Sequence, residues 1–525
     1  MANTRGIPLP PPYKGENNQF PVVTVDNPYC EKMDNFNNYQ GIIKLRQGNN
    51  VFCITTPGGT IQALNIEKYE STTPALFVLV DAATAGEFRW YDISSGTASL
   101  VYSPVSAGGD DEIFTLYFNG YLFYFGEFNL AVGGDIGPQR YDGSTWGAVT
   151  YTWPSSFSPF GGNVYKNRAY FIGRFSASYG YSGINSTSGV ITKVDLSGVT
   201  SSKSNLYIIR SISVSEGVTP DNVQAFLFSN GEIFIYSGAY PDSPNWGLIS
   251  RFKISKPLYY HSFVDAKGDS FIFTDSEILS LRNLYINGYS IEKEQGIGSV
   301  FSNRWKQIIT ALKVSIGVKF VKGIYDEKQD RLVISLPCYV DRTGTVDQTK
   351  TFQVIYDFIL GAWYEYFQST SASKNVVSAC YYNDYTFLLR QESQTAVAMQ
   401  LEGNSNYLDD NYTGSGTTAI SYLLRSAKYP LSKFGVVVAN ALEMIMKSDI
   451  YTTINIKFIG NLGEKETGAQ QTTGNGTNIS KVMFNVGLES NIIQFELYGS
   501  TTTSTIGIEL YYTNLWLTNS EGLSR

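Results

Sequence analysis

One histidine, His261, stands in a chain of 525 residues. That count excludes paired-histidine metal sites, the HExxH zinc helix and histidine proton relays. A Ser-His-Asp arrangement has only His261 to use. Its setting, Leu258-Tyr259-Tyr260-His261, offers no partner for a base and reads as a hydrogen-bonded core histidine. Cys30, Cys53, Cys338 and Cys380 form no CxxC pair and lie far apart, so neither a zinc knuckle nor a disulfide framework is expected. They read as buried thiols of a reducing compartment. No GxxxxGK[ST] loop is present, which argues against nucleotide hydrolysis.

Carboxylates are the remaining chemistry, because a glycosidase needs two of them facing each other. Asp110, Asp111 and Glu112 cluster after Gly108-Gly109 and read as a solvated loop. Glu402, Asp409, Asp410 and Asn411 offer oxygen ligands that suit Ca²⁺, but their spacing matches no EF-hand loop. Tyr141-Asp142-Gly143-Ser144-Thr145-Trp146 resembles the Asp-box of sialidase-type propellers. Here the leading Ser is missing and the Asp-to-Trp spacing is one residue short. The fragment is expected to be a hairpin in which Asp142 caps backbone N–H groups and Trp146 packs between blades. No catalytic, cofactor-binding or metal residue is assigned, and no enzymatic activity is expected.

The elements that would position these residues are almost all strands. Aromatics make up 14% of the chain and charged residues 16%, with a net charge of −7. No Lys/Arg block marks a nucleic-acid reader. No apolar stretch has the length of a membrane span, and the first residues lack the apolar core of a signal peptide. A soluble chain, or a subunit of a soluble assembly, is therefore expected. Turn residues followed by an aromatic strand recur at Asn119-Gly120, Asn167-Arg168, Asn230-Gly231, Gly268-Asp269, Gln329-Asp330 and Asn383-Asp384. Leu76–Val80 extends the series backward. Strands ending in Tyr-Asp occur at Tyr91-Asp92, Tyr141-Asp142, Tyr325-Asp326 and Tyr356-Asp357.

Units of roughly 40–50 residues, each with three or four strands, predict an all-β protein built on a β-propeller of six or seven blades. A string of separate β-sandwiches is the competing arrangement. The expected division is an N-terminal arm and lead-in segment over 1–48, a propeller over 49–403 and a C-terminal domain over 404–525. The C-terminal domain reads as an antiparallel β-sandwich with a loop at 463–479. Residues 1–28 carry six prolines and predict an extended arm that a neighbouring subunit orders. Short helical turns are expected after Asn27-Pro28 and after Ser302, with Ser302 as a cap. If Trp246 is buried in a blade, Trp246→Ala should cost about 3–5 kcal/mol.

Two segments resemble a family. Residues 27–48 include Asn27-Pro28-Tyr29-Cys30 and Gly41-Ile42-Ile43-Lys44-Leu45-Arg46-Gln47-Gly48. Residues 223–281 include Phe226-Leu227-Phe228-Ser229-Asn230-Gly231, Pro241-Asp242-Ser243-Pro244-Asn245-Trp246-Gly247-Leu248 and Lys256-Pro257-Leu258. These are similar to tail nozzle or tail-hub (tail tubular) proteins of short-tailed bacteriophages. The resemblance implies a virion protein made in the host cytoplasm, forming a homo-hexameric ring below the portal and its adaptor. Double-stranded DNA would pass through that ring without sequence-specific binding, and tail fibre proteins are further candidate neighbours. A net-negative conduit would repel phosphate and let DNA slide. A host-receptor adhesin at the tail tip, a propeller-type glycan hydrolase and a host-encoded propeller scaffold are the other readings.

Overall fold

The computed structural model describes residues 4–9, 14–16, 30–39, 42–56, 61–70, 73–82, 87–102, 113–126, 138–201, 203–213, 222–287, 297, 299–369, 376–392, 395–403, 408–410, 417–431, 437–447, 453–461, 463–471, 479–490, 492–501 and 507–519. Among these, six small antiparallel sheets and four antiparallel strands of a larger sheet follow one another along the chain as blades. The first blade holds Ile61–Tyr69, Ala75–Ala82, Glu87–Asp92 and Ser99–Tyr102. The second begins at Ile113–Phe118, the third at Pro159–Tyr165 and the fourth at Leu206–Ser213. The fifth, of three strands, begins at Phe263–Ala266, the sixth at Lys322–Asp326 and the seventh at Val376–Tyr382. Each blade packs on the next through its first strands, and the seventh packs on the first, so the ring closes. This is a seven-bladed β-propeller. Its last blade is completed by Asn50–Thr55, which pairs antiparallel with Thr395–Gln400.

Hairpin chemistry accounts for the repeat. Asn119 and Gly120 have φ of 50° and 82°, and Asn383 and Asp384 have 51° and 71°. Two consecutive left-handed residues make the tight turn whose twist matches paired strands, and Asn, Asp and Gly tolerate that conformation best. Two turns sit one residue earlier than the sequence suggests, at Lys166-Asn167 and Lys267-Gly268. Asn230-Gly231 is a different member of the series. It joins the second and third strands of the fourth blade, whose first hairpin spans the interval from Ser213 to Asn222. The long step from Gly268 to Gln329 contains two helices, α1 (Leu281–Asn287) and α2 (Ser302–Ser315).

α2 is longer than the expected turn or two. It buries Trp305, Ile308, Ile309 and Leu312, one stripe of a 3.6-residue period, in a core shared with the fifth and sixth blades. Its N-cap is Phe301 and Ser302 is already helical, which corrects the capping role expected of that serine. Residues 27–29 lie outside the described residues, but from Cys30 onward the helical turn expected there is corrected, since Lys32–Asp34 and Phe36–Tyr39 are strands.

Aromatic rings fill the spaces between blades. Trp146 of the second blade stacks on Trp90 of the first, with centroids 4.6 Å apart and planes 23° apart. The turn before it behaves as expected. Asp142 Oδ1 accepts the backbone N–H of Ser144 at 2.9 Å and of Thr145 at 2.8 Å. Those bonds hold its carboxyl far below the ordinary carboxylate range. Asp92 and Asp357 cap the turns after their own Tyr-Asp strands in the same way. Trp246 departs from expectation, being half-buried with one face on Tyr236 at 5.4 Å.

Beyond the propeller, two antiparallel sheets enclose a second apolar core and form a β-sandwich. One sheet runs in the order Phe36–Tyr39, Ile42–Leu45, Glu509–Asn519, Val437–Lys447, Ser480–Ser490, with Thr4–Leu9 also on Glu509–Asn519. The other holds Lys32–Asp34, Ser421–Arg425, Ile492–Ser500, Thr453–Gly460 and Gly463–Gln471. Gly463–Gln471 is thus a strand where a loop is expected. Its polar sequence fits the edge of a sheet with few apolar partners. The described parts of the arm pair with their own chain, through Thr4–Leu9 on Glu509–Asn519 and through the Gly15 bridge to Trp363. Asp34 also pairs with Glu365 of the sixth blade, so one continuous sheet runs from propeller to sandwich.

The two tryptophans therefore differ in weight. Trp90, fully buried between blades, should cost about 3–5 kcal/mol when changed to alanine, and half-buried Trp246 about half of that. Urea denaturation of Trp90→Ala and Trp246→Ala measures both. Equal losses, or the reverse order, would contradict the packing described here.

Candidate functional site: the axial channel

The first strand of every blade faces the propeller axis, and together these strands wall a cavity of about 520 Å³. Glu67 comes from the first blade, Arg210 from the fourth, Asp265 from the fifth, Lys322 from the sixth and Cys380 from the seventh. His261 enters from the turn before the fifth blade. Alternation along these strands explains the placement, since every second side chain points to the axis while the others enter the blade interior.

Lys322 Nζ donates to Asn65 Oδ1 at 2.8 Å and to Ser378 Oγ at 2.9 Å. Burial pushes its ammonium down to about 8, against the pull of Glu67. Arg210 donates from one terminal nitrogen to the carbonyls of Gly162 at 3.0 Å and Ile209 at 2.8 Å. Its guanidinium lies over the Phe263 ring, 3.3 Å from the centroid, and burial pushes it down to about 10. His261 stacks on Phe114 at 5.2 Å and is hydrogen-bonded to the Ile113 backbone. Burial, then Lys322 and Arg210, hold its imidazole far below the ordinary histidine range, so it is neutral. The charges acting on His261 are cations, the opposite of the carboxylate that orients a catalytic base.

The oxygen ligands considered for Ca²⁺ are engaged elsewhere. Asp409 binds the Arg46 guanidinium through both oxygens, at 2.8 and 2.7 Å, and accepts the Asn49 backbone N–H at 2.8 Å. Glu402 pairs with Arg331 at 2.6 Å. These two arginines supply the positive charge that a cation would bring. The side chain of Asp410 and all of Asn411 lie outside the described residues, as do Asp110, Asp111 and Glu112. The four cysteines are free and buried.

Sequence reasoning missed a second charged site, where the sixth blade meets the arm. Carboxylate oxygens of Glu16, Asp34 and Glu365 lie within 4.8 Å of one another, all buried. Arg304 binds Glu365 at 2.6 and 3.1 Å, Arg342 contacts Glu16 and Glu365, and Lys32 pairs with Asp34 at 2.8 Å. Three cations face three carboxylates, so the cluster is neutral without a metal. Burial, with Glu365 and Asp34 adding to it and Arg342 opposing, pushes Glu16 up to about 7. Burial raises Asp34 too. Burial also works against ionisation of Glu365, but Arg304 and Arg342 outweigh it and hold that carboxyl below its ordinary value. No local signal could reveal this cluster, because its members span positions 16 to 365.

No family model and no curated protein matches the sequence. Solved structures similar to this chain include Raptor from Chaetomium thermophilum, at 10% identity and a TM-score of 0.39, covering 68% of this chain. This chain spans 29% of that protein's length. The Pan2 WD40 domain of Neurospora crassa matches at 7% identity and a TM-score of 0.37, over 69% of this chain and 97% of that one. An exo-β-1,3-galactanase from Phanerochaete chrysosporium matches at 10% identity and a TM-score of 0.26, over 80% and 97%. The propeller assignment rests on the sheet order and ring closure above.

Glu16 gives the charged seam a pH signature. Its folded value of about 7 lies above the ordinary 4.5, so its stabilising contribution is present below pH 4.5 and lost as pH rises through about 7. Glu16→Gln removes this titration. The stability of the native chain relative to the variant should be greater at about pH 5 than at about pH 8, read from urea midpoints. A difference independent of pH would contradict the burial assigned to Glu16.

Proposed function

We propose that this chain is a structural virion protein, the subunit of a tail nozzle or tail-hub ring of the short-tailed phage type. In this reading the ring docks below the portal and adaptor, and double-stranded DNA passes through its centre during ejection. The observation that carries the reading is the state of two blade edges. Leu100 and Val101 are 51% and 43% exposed on Ser99–Tyr102, the outermost strand of the first blade. Leu248 and Ile249 are each 45% exposed on Gly247–Lys253, the outermost strand of the fourth. Exposed edge strands bearing large apolar side chains invite pairing with another chain. These edges stand three blades apart one way round the propeller and four the other, on different sides of the subunit. Two dissimilar faces are what a closed ring of head-to-tail contacts requires.

The charge balance supports the same reading. A net charge of −7 weakens attraction to a phosphate backbone, as a conduit requires. The resemblance of residues 27–48 and 223–281 to nozzle proteins supports a virion setting for the ring.

The test is mass and symmetry, by light scattering and negative-stain class averages of the purified chain with its neighbours. Six-fold rings with a central hole are expected. Leu248→Glu should abolish them while leaving the thermal midpoint of the subunit nearly unchanged, because that side chain is exposed in the monomer. A monomer, or a trimer with glycan-binding or glycan-cleaving activity, would overturn the proposal in favour of an adhesin or hydrolase.

A further inference from the structure

The axial channel holds buried nitrogen atoms that make no hydrogen bond to the described residues of its walls. Arg210 is 5% exposed, yet its Nε has no hydrogen-bond partner among the described residues. His261 Nε2 is likewise buried and unpaired. Since the unpaired nitrogen is Nε2, the bond to Ile113 is made through Nδ1, which fixes the proton of the neutral ring on Nδ1. Lys322 has three N–H donors and the walls accept two of them. All three side chains line the same cavity, and both cations act electrostatically on the imidazole.

Glu67, Glu70, Asp265 and Glu327 also line the cavity. Asp265 Oδ2 faces Arg210 Nε at 3.7 Å, an ion pair too long for a hydrogen bond, from a mostly exposed side chain whose Oδ1 accepts the Ser270 hydroxyl. Glu67, which acts on Lys322 together with Cys380, accepts the Thr115 hydroxyl. A buried guanidinium N–H without a partner is costly, and native interiors rarely keep one unless a ligand or water completes it. Burial without adequate counter-charge also explains why Arg210, Lys322 and His261 are all shifted toward their neutral forms.

We propose that the axial channel of each propeller is an oxyanion-binding site, in which Arg210 Nε, the Lys322 ammonium and His261 hold a phosphate or carboxylate group. The site would take a free anion or the anionic end of a small organic molecule, since the cavity exceeds the volume of one phosphate several-fold. Nε2 carries a lone pair when the ring is neutral, so the imidazole contributes a donor there only by taking up a proton. Binding is therefore linked to protonation of His261. The proposal is independent of ring assembly, because the channel lies within one subunit, and either can fail without the other.

The single histidine makes the test direct. In the full chain with isotope-labelled histidine, the one imidazole signal is followed while sodium phosphate or sodium acetate is added against sodium chloride at equal ionic strength. A saturable shift, with the imidazole's apparent pKa rising in the bound form, is expected for at least one anion. Response to phosphate alone marks a phosphate-bearing ligand, and response to acetate alone a carboxylate. Lys322→Met and Arg210→Gln, checked for native circular dichroism, should each weaken the response about tenfold or more. No saturable shift with either anion in the native chain would overturn the proposal, whatever the variants do. An undiminished response in a folded variant would overturn it as well.

Discussion

The pairing of Asn50–Thr55 with Thr395–Gln400 is the constraint on which the rest of the molecule depends. A propeller blade cannot bury both its faces, so the ring is stable only when closed. Here closure is made by a strand from before the first blade, which joins the three other strands of the seventh as its outermost strand. One consequence is topological. The chain enters and leaves the propeller at one place, so residues before 50 and after 400 meet. They complete each other's sheets, with Ile42–Leu45 and Thr4–Leu9 laid on Glu509–Asn519. Lys32–Asp34 then sits between the sixth blade and Ser421–Arg425.

Buried charge reinforces that junction. Glu365, on the outer strand of the sixth blade, is held by Arg304 from α2 and by Arg342, which also contacts Glu16 of the arm. Arg46, just before the closing strand, reaches Asp409 beyond the propeller and the Phe367 carbonyl within it. Sliding either element would leave one of these charges buried and unpaired, which costs several kcal/mol. The axial channel is paired more loosely, since Arg210 meets Asp265 only at 3.7 Å and His261 Nε2 has no hydrogen-bond partner among the described residues. The contrast separates a region built to hold itself together from one with donors left over.

Much of the propeller is legible in the sequence because hairpin turns need residues that tolerate positive φ. Asn119-Gly120 and Asn383-Asp384 mark their blades plainly. Blade number is less legible, because Asn230-Gly231 marks a second hairpin within one blade, and the helices between the fifth and sixth blades stretch the repeat. Asp142 and Trp146 take their expected roles because a capped turn is a local structure. Gly463–Gln471 escapes notice because an edge strand needs no alternating apolar side chains. The charged seam and the channel are beyond sequence reading for a different reason. Each gathers residues from several blades, and only ring closure sets their distances.

Hydrogen exchange of the intact chain tests the closing strand most directly, because amides opened only by global unfolding exchange together. Asn50–Thr55 and Thr395–Gln400 should exchange as slowly as the fully buried strands Arg331–Leu336 and Asp269–Phe273, and lose protection in the same step as they do. Rapid exchange over 50–55 while those strands stay protected would contradict the account. It would mean that the propeller stands without its closing strand and that the junction beyond it is secondary.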